Sequence, residues 1–249
     1  MEYLKAIVVG VVQGITEFLP VSSSGHLAIL AKLGVAPTSV FYNLSLHLAT
    51  LLALCIAMRR EIVDLVRHPI KGDAKYVLAA SLPTVAIALL FKKCFPSLLT
   101  GRLLAFGFLL TAAILTTSEL FAREKQGRML DAKVSLFTGA MQGIAVLPGV
   151  SRSGSTIAAL RLCGVASERA ASFSFLLSIP VIVGGFLSEG VESGFSAAGV
   201  AAGEILVASV AAFISGIFAV KVMLRGIKKG LKPFIPYTLA LGVVCFFLP

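Results

Sequence analysis

Charge is scarce in this sequence. Only 14% of its 249 residues are Asp, Glu, Lys or Arg, whereas soluble domains carry about 25%. That excludes an ordinary water-soluble domain, which would need far more polar surface. Paired cysteines are also lacking. Cys55, Cys94, Cys163 and Cys245 stand far apart with no C-x-x-C pair, which argues against a disulfide framework and a zinc site. Beside apolar segments a thiol behaves as a small hydrophobe. The first apolar run lacks a basic n-region and an A-x-A-like site and contains Glu17, so no cleavable leader is expected. No basic helix with interleaved aromatics occurs, so the net charge of +10 does not indicate a nucleic-acid surface.

What is present is hydrocarbon, in long runs. Residues 41–58, 77–91, 103–121, 173–187, 205–224 and 234–248 are almost wholly apolar, close to the roughly 20 residues that cross a bilayer as helix. The expected fold is an all-α polytopic membrane protein with six transmembrane helices. Lysine and arginine gather in short loops after the first, third and fifth spans: Arg59, Arg60, Arg67, Lys71 and Lys75; Arg123, Lys125, Arg128 and Lys133; Arg225, Lys228, Lys229 and Lys232. The positive-inside rule puts these loops in the cytoplasm.

That orientation holds only if residues 133–167 enter and leave on the cytoplasmic side. The segment is interrupted by Pro148-Gly149-Val150-Ser151-Arg152-Ser153-Gly154 and reads as a helix–break–helix. The expected form is a re-entrant hairpin, tolerated where its irregular backbone is buried in protein or faces water. Residues 1–33 show the same pattern and should enter from the opposite side. An odd number of spans between the hairpins inverts the second half. The expected layout is one membrane domain, 1–249, built as an inverted-topology repeat: hairpin 1–33 and three spans to about 121, then hairpin 133–167 and three spans to 249. In such architectures broken helices meet near the midplane and form the site.

The two breaks share a signature 129 positions apart (Gln13 and Gln142). The first copy is Gln13-Gly14-Ile15, five residues, then Val21-Ser22-Ser23-Ser24-Gly25-His26; the second is Gln142-Gly143-Ile144, five residues, then Val150-Ser151-Arg152-Ser153-Gly154-Ser155. The first adds Glu17 and His26, groups that attack or move protons. The second adds Arg152, a fixed cation whose planar fork can grip two phosphate oxygens. Pro20 should end the first helix at Leu19. Serines at the start of the next helix can cap it, and its N–H groups and dipole attract an anion. A serine–glycine run can equally be only a turn, a lone histidine only a structural residue, and Glu17 with Arg152 only a buried ion pair. Ionisable residues deep in a membrane protein are functional by default, and three fall inside the duplicated breaks. His47, in an apolar span, and His68, in a basic loop, are assigned no catalytic role; His47 could border the cavity. Arg161 is expected near the cytoplasmic interface.

Gln13-Gly-Ile-Thr-Glu17-Phe-Leu-Pro-Val-Ser-Ser-Ser-Gly-His26 and Leu147-Pro-Gly-Val-Ser-Arg152-Ser-Gly-Ser-Thr156 resemble the two signature motifs of the bacterial undecaprenyl-diphosphate phosphatases, the bacitracin-resistance family. The segment from Ser172 to Pro180 also fits, so the resemblance spans the chain. One departure is Gln13, where many members carry a second glutamate. The resemblance implies hydrolysis of a C55 prenyl diphosphate to the monophosphate and inorganic phosphate, recycling the lipid carrier of cell-wall synthesis. It also implies the bacterial plasma membrane, a site open to the outer face, a divalent cation (Mg²⁺ or Ca²⁺) and a homodimer.

In that chemistry Glu17, Ser23, His26 and Arg152 are the candidate catalytic residues. Gln13, Ser22, Ser24, Ser151, Ser153 and Thr156 are candidate substrate-binding residues, and Glu17 is the candidate metal ligand. Either Ser23 attacks phosphorus with His26 or Glu17 taking its proton, or His26 attacks and Glu17 orients it or holds the metal. The first version is preferred. A transporter or flippase of a phosphorylated prenyl lipid is the competing reading, because inverted repeats with broken helices also serve transport.

Overall fold

The computed structural model describes residues 2–69, 72–122, 127–197 and 199–248. Lys71, Arg123 and Lys125, three of the loop cations used to orient the chain, lie outside the described residues. Among the described residues there is no strand, and eleven α-helices follow one another.

Two short helices, α1 (Glu2–Phe18) and α2 (Ser23–Lys32), form the first hairpin. The apolar α3 (Val40–Ala57) follows, starting at Ser39, whose hydroxyl accepts the Tyr42 N–H. Where a loop was expected, residues 59–67 form a further helix, α4 (Arg59–Arg67). Its Ile62 and Leu65 pack against the core while its charged residues face out. Then come α5 (Ala74–Cys94) and α6 (Leu104–Phe121). The second hairpin is α7 (Ala132–Ile144) and α8 (Arg152–Leu162), and the chain ends with α9 (Ser167–Ser193), α10 (Ala202–Gly226) and α11 (Phe234–Cys245).

Five helices (α3, α5, α6, α9 and α10) are long and apolar enough to cross a membrane. The sixth apolar run gives only the 12 residues of α11. The outward faces are themselves apolar. Leu78, Leu82, Val85 and Leu89 recur at helical spacing on α5 and are all more than half exposed, as are Leu206, Ile214 and Phe218 on α10. Bands of this kind are an aggregation liability in water and the expected surface in hydrocarbon.

The halves interlock reciprocally. Helix α1 lies along α10, and α7 lies along α5. Both crossings depend on glycine. A Cβ at Gly10 would strike the carbonyl of Ala208, and one at Gly14 the carbonyl of Ala212; a Cβ at Gly139 would strike the carbonyl of Ala80, and one at Gly143 would come within 2.7 Å of Ile87 Cβ. Both pairs are four residues apart and share the offset between the two signatures. Small residues at this spacing let backbones approach closely inside a membrane, where packing rather than hydrophobicity drives association. Between these crossings sits the apolar core, including Phe18, Leu54, Leu115, Phe173 and Val220.

Candidate active site

Both hairpins break where the sequence places their prolines and glycines. Helix α1 stops at Phe18, and a tight turn follows in which the Val21 N–H donates to the Leu19 carbonyl at 2.8 Å. Ser22 then takes a φ of 68°, a left-handed conformation that costs a non-glycine residue energy. Its hydroxyl accepts the Gly25 N–H at 3.3 Å and starts α2. At the second break Gly149 takes the left-handed conformation instead (φ 89°). Ser151, relaxed at φ −77°, accepts the Gly154 N–H at 3.0 Å and starts α8. Thr111 of α6 pins this turn: its hydroxyl accepts the Ser151 N–H and donates to the Gly149 carbonyl, both at 2.9 Å.

These breaks bring the first residues of α2 and α8 to one carboxylate. Oε2 of Glu17 accepts from the Ser23 hydroxyl at 2.7 Å and from Gln13 Nε2 at 2.9 Å. Oε1 is paired with the guanidinium of Arg152, and Arg152 Nη1 reaches the Ser178 carbonyl at 3.4 Å. The Glu17 side chain is 1% exposed, that of Arg152 18%. The carboxylate is therefore buried behind a partly open cation. A serine hydroxyl and a guanidinium stand in direct contact with one buried carboxylate.

The other residues expected here are placed differently. His26 lies in the first turn of α2, but its hydrogen bonds go elsewhere than to Ser23. Its Nδ1 is 2.7 Å from the Ser22 carbonyl and its Nε2 2.7 Å from the Tyr237 hydroxyl. The hydroxyls of Ser22 and Ser151 are engaged as helix caps, and that of Ser153 donates to the Leu19 carbonyl at 2.9 Å. Thr156 is fully buried and turned toward Ser174 at 2.6 Å. Ser24 is exposed at the mouth of the first break. Several of the serines thus build the breaks, while Ser23 and Arg152 meet at Glu17 and Ser24 is exposed. Arg161, expected near the cytoplasmic interface, is 2% exposed and pairs with Glu119 at 2.5 Å. The structure seats it between α8 and α6 because both partners need the ion pair once removed from water.

Two residues at the site were given no role in its chemistry. His47, expected at most to border the cavity, sits with Nδ1 3.2 Å from Glu17 Oε2 and 3.0 Å from Gln13 Nε2. Tyr237, in the last helix, covers His26. Neither lies near a break in the chain; only the packing of α3 and α11 brings them in. For Gly10 and Gly139 a signal did exist, since the register of the duplicated signature continues upstream to them.

A metal held by protein alone would need several His, Cys, Asp or Glu side chains, and no such group of three occurs among the described residues. Oxygen donors are present in another form. Glu17 carries a carboxylate, and the neighbouring Gln13 Oε1 is buried without a hydrogen-bond partner.

Residues 6–244 match the family described as "Bacitracin resistance protein BacA". The chain is 40% identical to the undecaprenyl-diphosphatase of Carboxydothermus hydrogenoformans, covering 100% of this chain and 98% of that protein. It is 37% identical to that of Bacteroides fragilis over 98% of this chain and 97% of the relative. It is 33% identical to that of Korarchaeum cryptofilum over the full length of both. With matched length, paired breaks and a shared polar centre, the chain belongs to the BacA family of bacitracin resistance proteins.

Proposed function

We infer that this chain hydrolyses undecaprenyl diphosphate to undecaprenyl phosphate and inorganic phosphate, returning the lipid carrier to cell-wall synthesis. The observation that carries the mechanism is the contact of Ser23 and Arg152 with the same buried carboxylate, Glu17. Transport alone needs an anion site, but no nucleophile held against a base.

Phosphoryl transfer is mostly positioning and charge stabilisation. Arg152 turns its fork to the terminal phosphate, leaving Ser23 as the close donor to Glu17. The Ser23 Oγ attacks the terminal phosphorus as its proton passes to Glu17 Oε2. The bond from that phosphorus to the bridging oxygen breaks, and undecaprenyl phosphate departs. Water then attacks the phosphoserine and releases inorganic phosphate, and Ser23 recovers its proton from Glu17. Ser24 and the N–H groups opening α2 and α8 lie at the mouth for the remaining phosphate oxygens. Mg²⁺ or Ca²⁺ suits this set of oxygen donors. Glu17 and the orphaned Gln13 Oε1 would hold it together with the substrate's own phosphates, where it would neutralise diphosphate charge.

The reading of six spans and two re-entrant hairpins in an inverted repeat is supported by the reciprocal crossings α1–α10 and α5–α7 and by the loop cations. It opens the first hairpin, and the site, to the outer face of the plasma membrane.

Phosphate release from C55 and shorter prenyl diphosphates by purified protein in detergent, with and without chelator, tests this. Release that stops on chelation supports the reading. Binding without release would return the protein to the transporters.

A further inference from the structure

His26 is engaged at both ring nitrogens. Nδ1 faces the Ser22 carbonyl, and a carbonyl oxygen can only accept, so Nδ1 carries the hydrogen. In the neutral ring Nε2 is then the bare nitrogen, and the Tyr237 hydroxyl 2.7 Å away donates to it. The tautomer follows from these neighbours. The single lone pair of His26 is thus held by a phenol that lies 211 residues further along the chain.

The surroundings of the ring keep it in that position. Tyr237 lies nearly parallel to His26, at 9° and 5.7 Å between centroids, and Phe108 of α6 meets it edge-on at 84° and 5.7 Å. His26 is 8% exposed and Tyr237 46%, so a buried imidazole is bonded to a phenol that reaches the surface. Helix α11 reaches this position because Gly242 admits Leu109 of α6; a Cβ there would come within 2.7 Å of the Leu109 side chain. Ser23 and His26 are three apart on α2 and share a face.

We propose that Tyr237 is a positioning residue of the phosphatase reaction: its hydroxyl fixes His26 with Nε2 bare and holds that nitrogen at the mouth of the site. A bare Nε2 is required on either route open to His26. As a base it takes a proton from the water attacking the phosphoserine, while the Ser23 Oγ leaves phosphorus. As a nucleophile it attacks the terminal phosphorus, the bond from that phosphorus to the bridging oxygen breaks and undecaprenyl phosphate departs, and water then takes the phosphoryl group from Nε2 as inorganic phosphate. In both cases the Tyr237 hydroxyl gives up Nε2 as substrate arrives. The short α11 then supplies the second half's contribution to His26.

The proposal rests on His26 taking part in the reaction, so two variants are measured together. His26→Asn should lose about a hundredfold or more in kcat. Tyr237→Phe keeps the ring contacts and should lose about tenfold in kcat, the worth of one hydrogen bond, with KM unchanged. In ¹⁵N-histidine spectra of the whole protein, wild type should show Nδ1 protonated and Nε2 hydrogen-bonded as an acceptor. Tyr237→Phe should move the Nε2 signal to that of an unbonded nitrogen. Adding Tyr237→Phe to His26→Asn should cost nothing further. An active His26→Asn would overturn the place given to His26. An inactive His26→Asn beside a fully active Tyr237→Phe, or an Nε2 signal indifferent to the substitution, would overturn the role of Tyr237 alone.

Discussion

The hydroxyl of Ser153, in the second break, donates to the carbonyl of Leu19, in the first, at 2.9 Å. Together with the Glu17–Arg152 ion pair it ties the two interruptions directly to each other. One break therefore cannot be altered without moving the other, and substitutions at the site should be read with that coupling in mind.

Arg152→Ala should lower turnover about a hundredfold or more, the usual cost of one electrostatic donor to the transition state. Arg152→Lys should recover only part of it, because a point charge lacks the fork. Steady-state kinetics on prenyl diphosphate checks both. Turnover within a few fold of wild type in either would remove Arg152 from its role.

Rapid quench with labelled substrate should trap an acid-stable phosphoserine at Ser23, absent from Ser23→Ala. An acid-labile phosphohistidine at residue 26 would transfer the attack to His26 and leave Ser23 as a ligand.

Gly10→Ala and Gly139→Ala should each destabilise the protein by about 1–3 kcal/mol, since the added methyl meets backbone that cannot move aside. Gly185→Ala, with open space around it, should not. Thermal melts in one detergent compare them. Equal melting temperatures for all three would mean the crossings are looser than the structure has them.

Glu119→Ala takes the carboxylate away from the buried Arg161 guanidinium. Glu119→Ala should cost about 3–5 kcal/mol, and it also frees the Leu231 N–H, which now donates to Glu119 at 2.6 Å. Catalysis per folded molecule should be unchanged, because this pair lies outside the candidate active site.

Asp131 caps α7 on the aqueous side. Its carboxyl sits below the usual value because it accepts the Val134 N–H and pairs with Arg128. A lowered carboxyl stabilises the fold above the unfolded value of about 4 and loses that contribution as pH falls through the native one. Asp131→Asn keeps an acceptor but does not titrate. Its melting temperature should fall less steeply than that of wild type on acidification below about pH 4.

Much of this was legible in the sequence because membranes impose simple rules. Apolar length located α3, α5, α6, α9 and α10, and the prolines and glycines located both breaks. The ends were less legible. Helix α9 extends from Ser167 to Ser193, well beyond the apolar run 173–187, because hydrocarbon selects only the part it covers and Glu189 and Glu192 continue the helix into water. Helix α4 looked like a charged loop because its apolar positions, Ile62 and Leu65, are few. The centre of the site was legible as far as Glu17, Ser23 and Arg152. His47 was legible only as a residue at the edge of the cavity and Tyr237 not at all, since what brings them there is how α3 and α11 pack.

The reciprocal crossing also orders events in time. Helix α1 is synthesised first, yet its glycine face is matched by α10, made almost 200 residues later. Glu17 reaches the membrane long before Arg152 exists. The first hairpin must wait for α10 while the middle of the chain is inserted, its carboxylate held by Gln13 and Ser23 but without the arginine that pairs with it. The catalytic centre is therefore among the last parts to close, and a chain cut between the halves should regain activity only when both fragments are present in one membrane.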